Sequence, residues 1–313
     1  MEEELLRQAS AALRKVALNE EAKDYILSNP ILFTILKKAA DRYIGGETLG
    51  ETIGKVKTQN ERGFKCSIEF MGESTRTEHE ANAARDEFIK ICQEIKHHEL
   101  DSTLSLDLSH IGLAISKDLC LNNLNLICKE ASKGKIEVTI SAENTDRTDD
   151  VLTTYKDIIR TYQNVAITLQ AYLHRTKDDF EELIKLKGRI RIVKGAFETP
   201  PGLSLQRGDQ LDEVYLNYVD RLLSENHLCA IATHHGKIQQ EVKKLIQKYK
   251  VSTDIYEFES LYGIQNEQLL ALKGEGYPAK IYFVYGKEWY LYLCNRLAEY
   301  PLNLFKALSD IIE

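Results

Sequence analysis

The chain lacks most of what would mark a secreted, fibrous, membrane-spanning or nucleic-acid-binding protein. Its six cysteines (Cys66, Cys92, Cys120, Cys128, Cys229 and Cys294) stand singly, with no Cys-x-x-Cys pair and no metal-ligand spacing. Thiols scattered in this way read as small buried hydrophobes in a reducing, cytoplasmic setting, not as a disulfide framework or a zinc site. No apolar run approaches the ~20 residues that span a bilayer, so no integral membrane segment is expected. The start, Met1-Glu2-Glu3-Glu4-Leu5-Leu6-Arg7, is acidic and amphipathic, unlike a signal peptide. Basic residues are not in excess: 41 Lys and Arg face 48 Asp and Glu, and the net charge of −7 argues against nucleic acid and for a small-molecule ligand. No internal repeat and no low-complexity linker interrupts the chain.

What the sequence does have is an ordinary globular composition, 43% hydrophobic and 28% charged over 313 residues, enough to bury a large core. The first ~60 residues show helical spacing and no convincing strand. Leu5, Leu6, Ala9, Ala12, Leu13 and Val16 recur on one helical face, and Glu20–Leu27 reads as a second helix that Asn29-Pro30 breaks. Ile31–Tyr43 resumes the pattern until Gly45-Gly46, and Glu47–Glu61 follows as another helix. After Gly63 the rhythm changes. Strands are predicted at Cys66–Phe70, Thr103–Leu108, Ile136–Ile140, Val165–Gln170, Ile190–Val193, Cys229–Thr233, Ile255–Phe258 and Lys280–Val284. Helices are predicted between them at Glu78–Lys96, Lys117–Ala131, Asp149–Tyr162, Lys177–Lys185, Gln210–Glu225, Lys237–Tyr249 and Glu267–Leu272, with a last one over Lys287–Tyr300. Strands alternating with helices pair in parallel. Eight such units over roughly 235 residues predict an α/β fold, a (β/α)₈ TIM-type barrel near its ~250-residue norm. Residues 1–62 then form an N-terminal helical arm and residues 63–313 the barrel. The rival is an open doubly wound sheet, weakened because no Gly-x-Gly-x-x-Gly follows the first strand.

A barrel places its site by geometry, since catalytic groups come from the C-terminal ends of the strands and the loops after them. Those positions hold Glu73, Asp107, Ser141 with Glu143, Gln170, Lys194, Thr233-His234-His235, Glu259, and Tyr282 with Tyr285. Arg191 lies inside the fifth strand. It either packs outward against a helix carboxylate or points inward at an anion or a polar ring system. Adjacent His234 and His235 point to opposite sides of a strand, which argues against joint metal ligation.

These strand ends carry a resemblance to the proline dehydrogenases. Arg191-Ile192-Val193-Lys194-Gly195-Ala196-Phe197 is similar to that family's Arg-x-Val-Lys-Gly-Ala-Tyr segment. Leu169-Gln170-Ala171-Tyr172-Leu173 resembles its fourth strand end, Ala232-Thr233-His234 its sixth and Phe258-Glu259-Ser260-Leu261-Tyr262-Gly263 its seventh. Tyr282 to Tyr290 resembles the eighth strand and the start of the final helix, and Ile68-Glu69-Phe70-Met71-Gly72-Glu73 the first strand with its closing Leu-Gly-Glu. The likeness touches every part of the barrel.

The resemblance implies an FAD enzyme that oxidises L-proline to the cyclic imine by hydride transfer to flavin N5 and passes the electrons to an acceptor such as a quinone or oxygen. It implies flavin contacts at Ala142, Gln170, Arg191, Lys194, Gly195, Ala196, Thr233 and His234. A cation such as Arg191 suits the charge that gathers on a reduced flavin. Tyr282 would hold the reacting carbon against the ring, and Arg191, Tyr282 and Ser141 are the expected catalytic positions. The substrate half, Glu73, Asp107, Tyr282, Tyr292, Asn295 and Arg296, departs from the family pattern. The last helix reads Tyr292-Leu293-Cys294-Asn295-Arg296-Leu297-Ala298-Glu299 where the family has Tyr-x-x-Arg-Arg-x-x-Glu. Asp107 stands for a lysine and Ser141 for an aspartate. Together the changes make the mouth more acidic, and an added carboxylate repels that of an amino acid unless it is protonated or paired with Arg296. Three functions therefore stand at this stage: oxidation of proline or a related cyclic amino acid, the same chemistry on an amine without proline's carboxylate, and a flavin-binding homologue that does not catalyse.

Overall fold

Period-two alternation decides the architecture. In every strand one set of residues is apolar and the other is small, polar or charged, so each strand has two incompatible faces that only a closed sheet wrapped in helices can satisfy. The computed structural model describes residues 2–72 and 74–299. Strands β1 (Lys65–Phe70), β2 (Ser102–Leu106), β3 (Val138–Ile140), β4 (Val165–Gln170), β5 (Ile190–Val193), β6 (Cys229–Ala232), β7 (Tyr256–Leu261) and β8 (Ala279–Tyr285) close in sequence order into one parallel barrel. β8 returns to β1 in a register that sets Cys66 beside Ile281 and Ser67 beside Tyr282. Closure excludes the open doubly wound sheet.

The helices between the strands are α5 (Glu78–His97), α6 (Lys117–Lys133), α7 (Thr148–Ile158), α8 (Thr176–Leu183), α9 (Asp209–Ser224), α10 (Gly236–Tyr249) and α11 (Asn266–Gly274), with α12 (Trp289–Glu299) after the last strand. Ile68, Leu104, Leu106, Val138, Ile140, Ile167, Ile190, Ile192, Ile231 and Phe258 share one apolar core with Phe88, Ile91, Leu124 and Tyr215 of these helices. The barrel's apolar residues thus face out. Local chemistry sets the helix starts: Thr77 caps α5 and Glu80 returns a bond to the Thr77 backbone, two orphan donors satisfied at once.

Four helices precede the barrel: α1 (Glu2–Ala17), α2 (Glu20–Ser28), α3 (Pro30–Asp41) and α4 (Leu49–Glu61). Asn29 caps α3 through its side chain, with Pro30 at the first helical position, where no backbone donor is needed. The expected break at Asn29-Pro30 is therefore also a start. A second apolar cluster joins Ala17, Ala39, Ala40, Tyr43 and Ile44 to Met71, Val284, Trp289, Leu293 and Leu297, seating the arm and α12 together at the C-terminal end of β8. The backbone stitches them further: Gly45 donates to Val284 O at 2.7 Å and Gly286 donates to Gly46 O at 3.1 Å.

Gly263, in the turn after β7, is where the barrel touches the end of the arm. It sits at φ +77°, and a Cβ there would lie 1.9 Å from the Arg42 carbonyl oxygen. A backbone atom cannot swing aside as a side chain can. Gly263→Ala is expected to destabilise the fold by about 2 kcal/mol, from the left-handed backbone and the clash together. Urea unfolding checks it; a midpoint unchanged from wild type would show that the arm is not held at this turn.

Candidate active site

Inside the barrel the alternation places polar and charged side chains, and their contacts run from wall to wall. At the N-terminal end, Arg189 meets Glu137 at 3.0 Å and Glu257 at 3.6 Å, and Lys65 reaches Glu257 at 3.4 Å. Above them Lys280, only 1% exposed, bonds Glu257 at 2.6 Å and Glu259 at 2.9 Å. Burial opposes the charge on Lys280, but the two carboxylates overcome it and hold the ammonium above the ordinary lysine range. The same pairing, with Arg189, holds Glu257 below the usual carboxylate range despite its burial.

Arg191 sits at the next level and points inward. Its Nε donates to Thr168 Oγ1 at 2.8 Å, Nη1 to Ser105 Oγ at 3.3 Å and Glu259 Oε1 at 3.1 Å, and Nη2 to Ser141 Oγ at 3.1 Å. One guanidinium so ties β5 to β2, β4, β7 and the end of β3 across the lumen. Its carbon lies 5.2 Å from the centre of the Tyr282 ring, a cation–π contact. Tyr282 in turn donates to Glu69, which also accepts from Ser141 at 3.2 Å. Burial and then Glu69 push the Tyr282 phenol well above its normal range. The three residues expected to be catalytic, Arg191, Tyr282 and Ser141, therefore belong to one connected network at the C-terminal mouth. Asp107 joins its edge, half-buried at the end of β2 and close enough to feel Glu69, Glu143 and Arg191.

The residues expected at the cofactor line the rim over β4, β5 and β6. Gln170 is buried and donates to Glu143 O at 3.1 Å, which leaves its side-chain oxygen as an acceptor. His234 Nε2 accepts from the Leu261 backbone at 3.0 Å, so its one proton sits on Nδ1 and is a donor. Burial, reinforced by Arg296, lowers that imidazole to about 4 and keeps it neutral. Lys194 is held by Asp212 at 2.5 Å and His235 Nδ1 at 3.1 Å, and His235 also meets Asp212 at 3.1 Å. The two histidines do diverge: one binds the β7 end, the other α9. Thr233 Oγ1 accepts from the His235 N–H at 3.1 Å. Gly195 takes φ +108°, and a Cβ there would fall 2.2 Å from the Tyr172 ring. Ala142 is half-buried and Ala196 exposed, so each offers backbone rather than a side-chain group.

Helix α12 brings the substrate candidates over the mouth. Arg296 pairs with Glu299 at 2.6 Å and lies 5.0 Å from the Tyr292 ring centre. The Tyr292 hydroxyl is buried and has no hydrogen-bond partner among the described residues, and burial pushes it up to about 12. An unmet buried hydroxyl costs about 1–3 kcal/mol. Asn295 is half-buried on the same helix. Glu73 lies outside the described residues. Of the other strand-end residues, Tyr285 points away from the mouth to Glu87 at 2.8 Å, and Glu143 engages its carboxylate with the Ser109 backbone at 2.8 Å and Arg147 at 3.2 Å. Sequence reading singled out Glu69 and Lys280 for no role, although both stand on the polar face of strands that alternate cleanly.

This is a parallel barrel whose inward residues form a charged lattice and whose C-terminal mouth gathers an arginine, a tyrosine and carboxyls beneath a capping helix: the form of a (β/α)₈ enzyme. Residues 52–300 match the profile of the family described as proline dehydrogenase. "Proline dehydrogenase 2" of Bacillus subtilis is 34% identical over 273 residues, covering 87% of this chain and 90% of its own length. "Proline dehydrogenase" of Deinococcus radiodurans is 28% identical over 279 residues, covering 88% of this chain and 90% of its own. The chain belongs to the proline dehydrogenase family. Among solved structures, proline utilization A (PutA) from Bdellovibrio bacteriovorus, inactivated by N-propargylglycine, superposes with a TM-score of 0.80 at 18% identity, covering 94% of this chain. The chain spans only 36% of that larger protein, and the likeness is one of fold.

Proposed function

We propose that this chain is an FAD-dependent dehydrogenase that oxidises L-proline, or a closely related cyclic amino acid, to the cyclic imine. Membership of the proline dehydrogenase family across the whole barrel is the observation that carries the reading, and it disfavours both a carboxylate-free amine and a non-catalytic binder. The rim suits a flavin by its donor set. A histidine Nδ1–H, a lysine, the Gln170 amide and a positive-φ glycine face one side of the mouth. When bound there, the flavin would supply the two-electron acceptor for the hydride.

The chain's own residues would do the rest. Gln170, His234 and Thr233 would meet the ring's polar edge, and Lys194 with the Gly195-Ala196 backbone the phosphates and sugar chain. Arg191 would stabilise the negative charge that accompanies reduction, its position fixed by four bonded partners. Arg296 would take the substrate carboxylate and Tyr282 would pack on the ring of the substrate. Asn295 widens that end where the family carries a second arginine, and Glu73 would complete it. No helix among the described residues is long and apolar enough to cross a membrane, and electrons would pass to a quinone or oxygen. The setting fits the cytoplasm, since all six thiols are free.

The test is an absorption spectrum of the purified protein followed by anaerobic titration with L-proline. Bound oxidised flavin and its bleaching by proline are expected. A flavin that proline leaves oxidised would remove the reading.

A further inference from the structure

The top layer of the barrel holds a carboxyl whose position points to proton chemistry. Glu69 Oε2 accepts from the Tyr282 hydroxyl and from Ser141 Oγ at 3.2 Å. Ser141 Oγ accepts from Arg191 Nη2 at 3.1 Å, and the Asp107 carboxyl stands beside the same hydroxyl. A serine hydroxyl carries one hydrogen. In the structure that hydrogen goes to Glu69, so a hydrogen between Ser141 and Asp107 would have to come from the Asp107 carboxyl. Two carboxyls served by one hydroxyl hydrogen are a setting in which a proton is shared between them.

The surroundings agree. Burial pushes Glu69 up, and burial, then Glu69 and Glu143, push Asp107 well up. The charged and titratable groups facing the pair are Arg191 from β5, Glu259 from β7, Tyr282 from β8, Glu143 past β3 and Tyr292 from α12. Arg191 is the cation among them, and its charge is already shared with Glu259 at 3.1 Å.

We propose that Glu69, sharing one proton with Asp107 through the Ser141 hydroxyl, accepts the ammonium proton of the substrate and so readies the amine for oxidation. This rests on the dehydrogenase reading above. A substrate N–H bond breaks, its proton passes to a carboxylate oxygen of the pair, and the electron pair stays on nitrogen. That lone pair forms the C=N bond as the adjacent C–H bond breaks, its electron pair leaving with hydrogen as hydride to the oxidised flavin. The pair then holds two protons, and one leaves to water once the imine departs. Asp107 gives the departure from the family's lysine a purpose. A cation beside Glu69 would weaken it as a base, whereas a carboxylate strengthens it.

The experiment uses the full-length, flavin-loaded protein, its Glu69→Gln and Asp107→Asn variants, and two readouts. Infrared spectra of the resting protein near neutral pH should show a protonated-carboxyl C=O band that moves in D₂O and is changed in position or intensity in both variants, because each removes one carboxyl of the pair. Stopped-flow flavin reduction by L-proline should slow about a hundredfold or more in Glu69→Gln, with proline affinity little changed. In Asp107→Asn the loss should be smaller and the acid limb of the pH profile should move to lower pH. Absence of the band from wild type, or wild-type reduction rates in Glu69→Gln, would overturn the proposal while leaving the dehydrogenase reading intact. If proline reduces not even the wild type, the dehydrogenase reading falls and the base assignment falls with it.

Discussion

Lys280→Met is expected to cost about 3–5 kcal/mol of stability, the largest loss from any single change considered. The ammonium is fully buried and bonds two carboxylates, Glu257 at 2.6 Å and Glu259 at 2.9 Å. Methionine matches the stem but not the charge. Glu257 would keep Arg189 and Lys65, and Glu259 would keep Arg191, yet each would hold more negative charge in the barrel axis than its remaining partners offset. The loss should show in urea unfolding, and adding Glu257→Gln to the same chain should recover part of it, because the two sites are coupled. A loss below about 1 kcal/mol would mean that water reaches the lattice and screens it.

The largest expected effect on substrate is that of Arg296→Ala. Charged hydrogen bonds of the kind a guanidinium makes to a carboxylate are worth about 1.5–3 kcal/mol. At about 1.4 kcal/mol per decade, KM for proline should rise roughly ten- to hundredfold. The turnover number should change less, since a carboxylate contact at Arg296 would be made in ground state and transition state alike. Arg296→Lys should restore part of the affinity, lacking the planar fork. Glu299, paired with Arg296 at 2.6 Å, orients it, so Glu299→Gln should give a smaller rise in the same direction. Steady-state kinetics with proline decides the matter. An unchanged KM in Arg296→Ala would mean that the carboxylate is held elsewhere in the mouth.

The barrel was legible because its signal is repeated eight times. Val165–Gln170 and Ile190–Val193 are legible to the residue, each a short run rich in β-branched residues. Boundaries slipped where a strand end serves a loop. The run expected to continue to Leu108 stops at Leu106, because Leu108–Ile111 winds into a 3₁₀ turn ending at Gly112 with φ +111°. The seventh strand continues past Phe258 to Leu261, carrying Glu259 and Ser260, whose polarity masked their strand character in a linear reading. The same bias hid the lattice. Glu137, Arg189, Glu257 and Lys280 look like surface residues of ordinary strands, and only the cross-barrel geometry shows that they neutralise one another. Arg191 was recognisable as a residue needing a partner. That its partners are three hydroxyls and Glu259 could not be read, because they come from four separate strand–loop units. Glu69 is obscure in the sequence for a simpler reason: the recognisable Gly72-Glu73 turn follows the strand, and Glu69 is the last inward residue before it.

The lattice also has a bearing on how the chain is made. Glu257 is bonded by Lys65 from the first strand, Arg189 from the fifth and Lys280 from the eighth. During synthesis the carboxylates of the seventh strand emerge before Lys280, the last of the cations that pair with them, and until then hydration serves them better than a half-built interior. Domains that form as units on the ribosome do so when the unit is complete. Here completion is tied to one residue near the end of the barrel, so the arrival of Lys280 both closes the cylinder and makes it worth drying out.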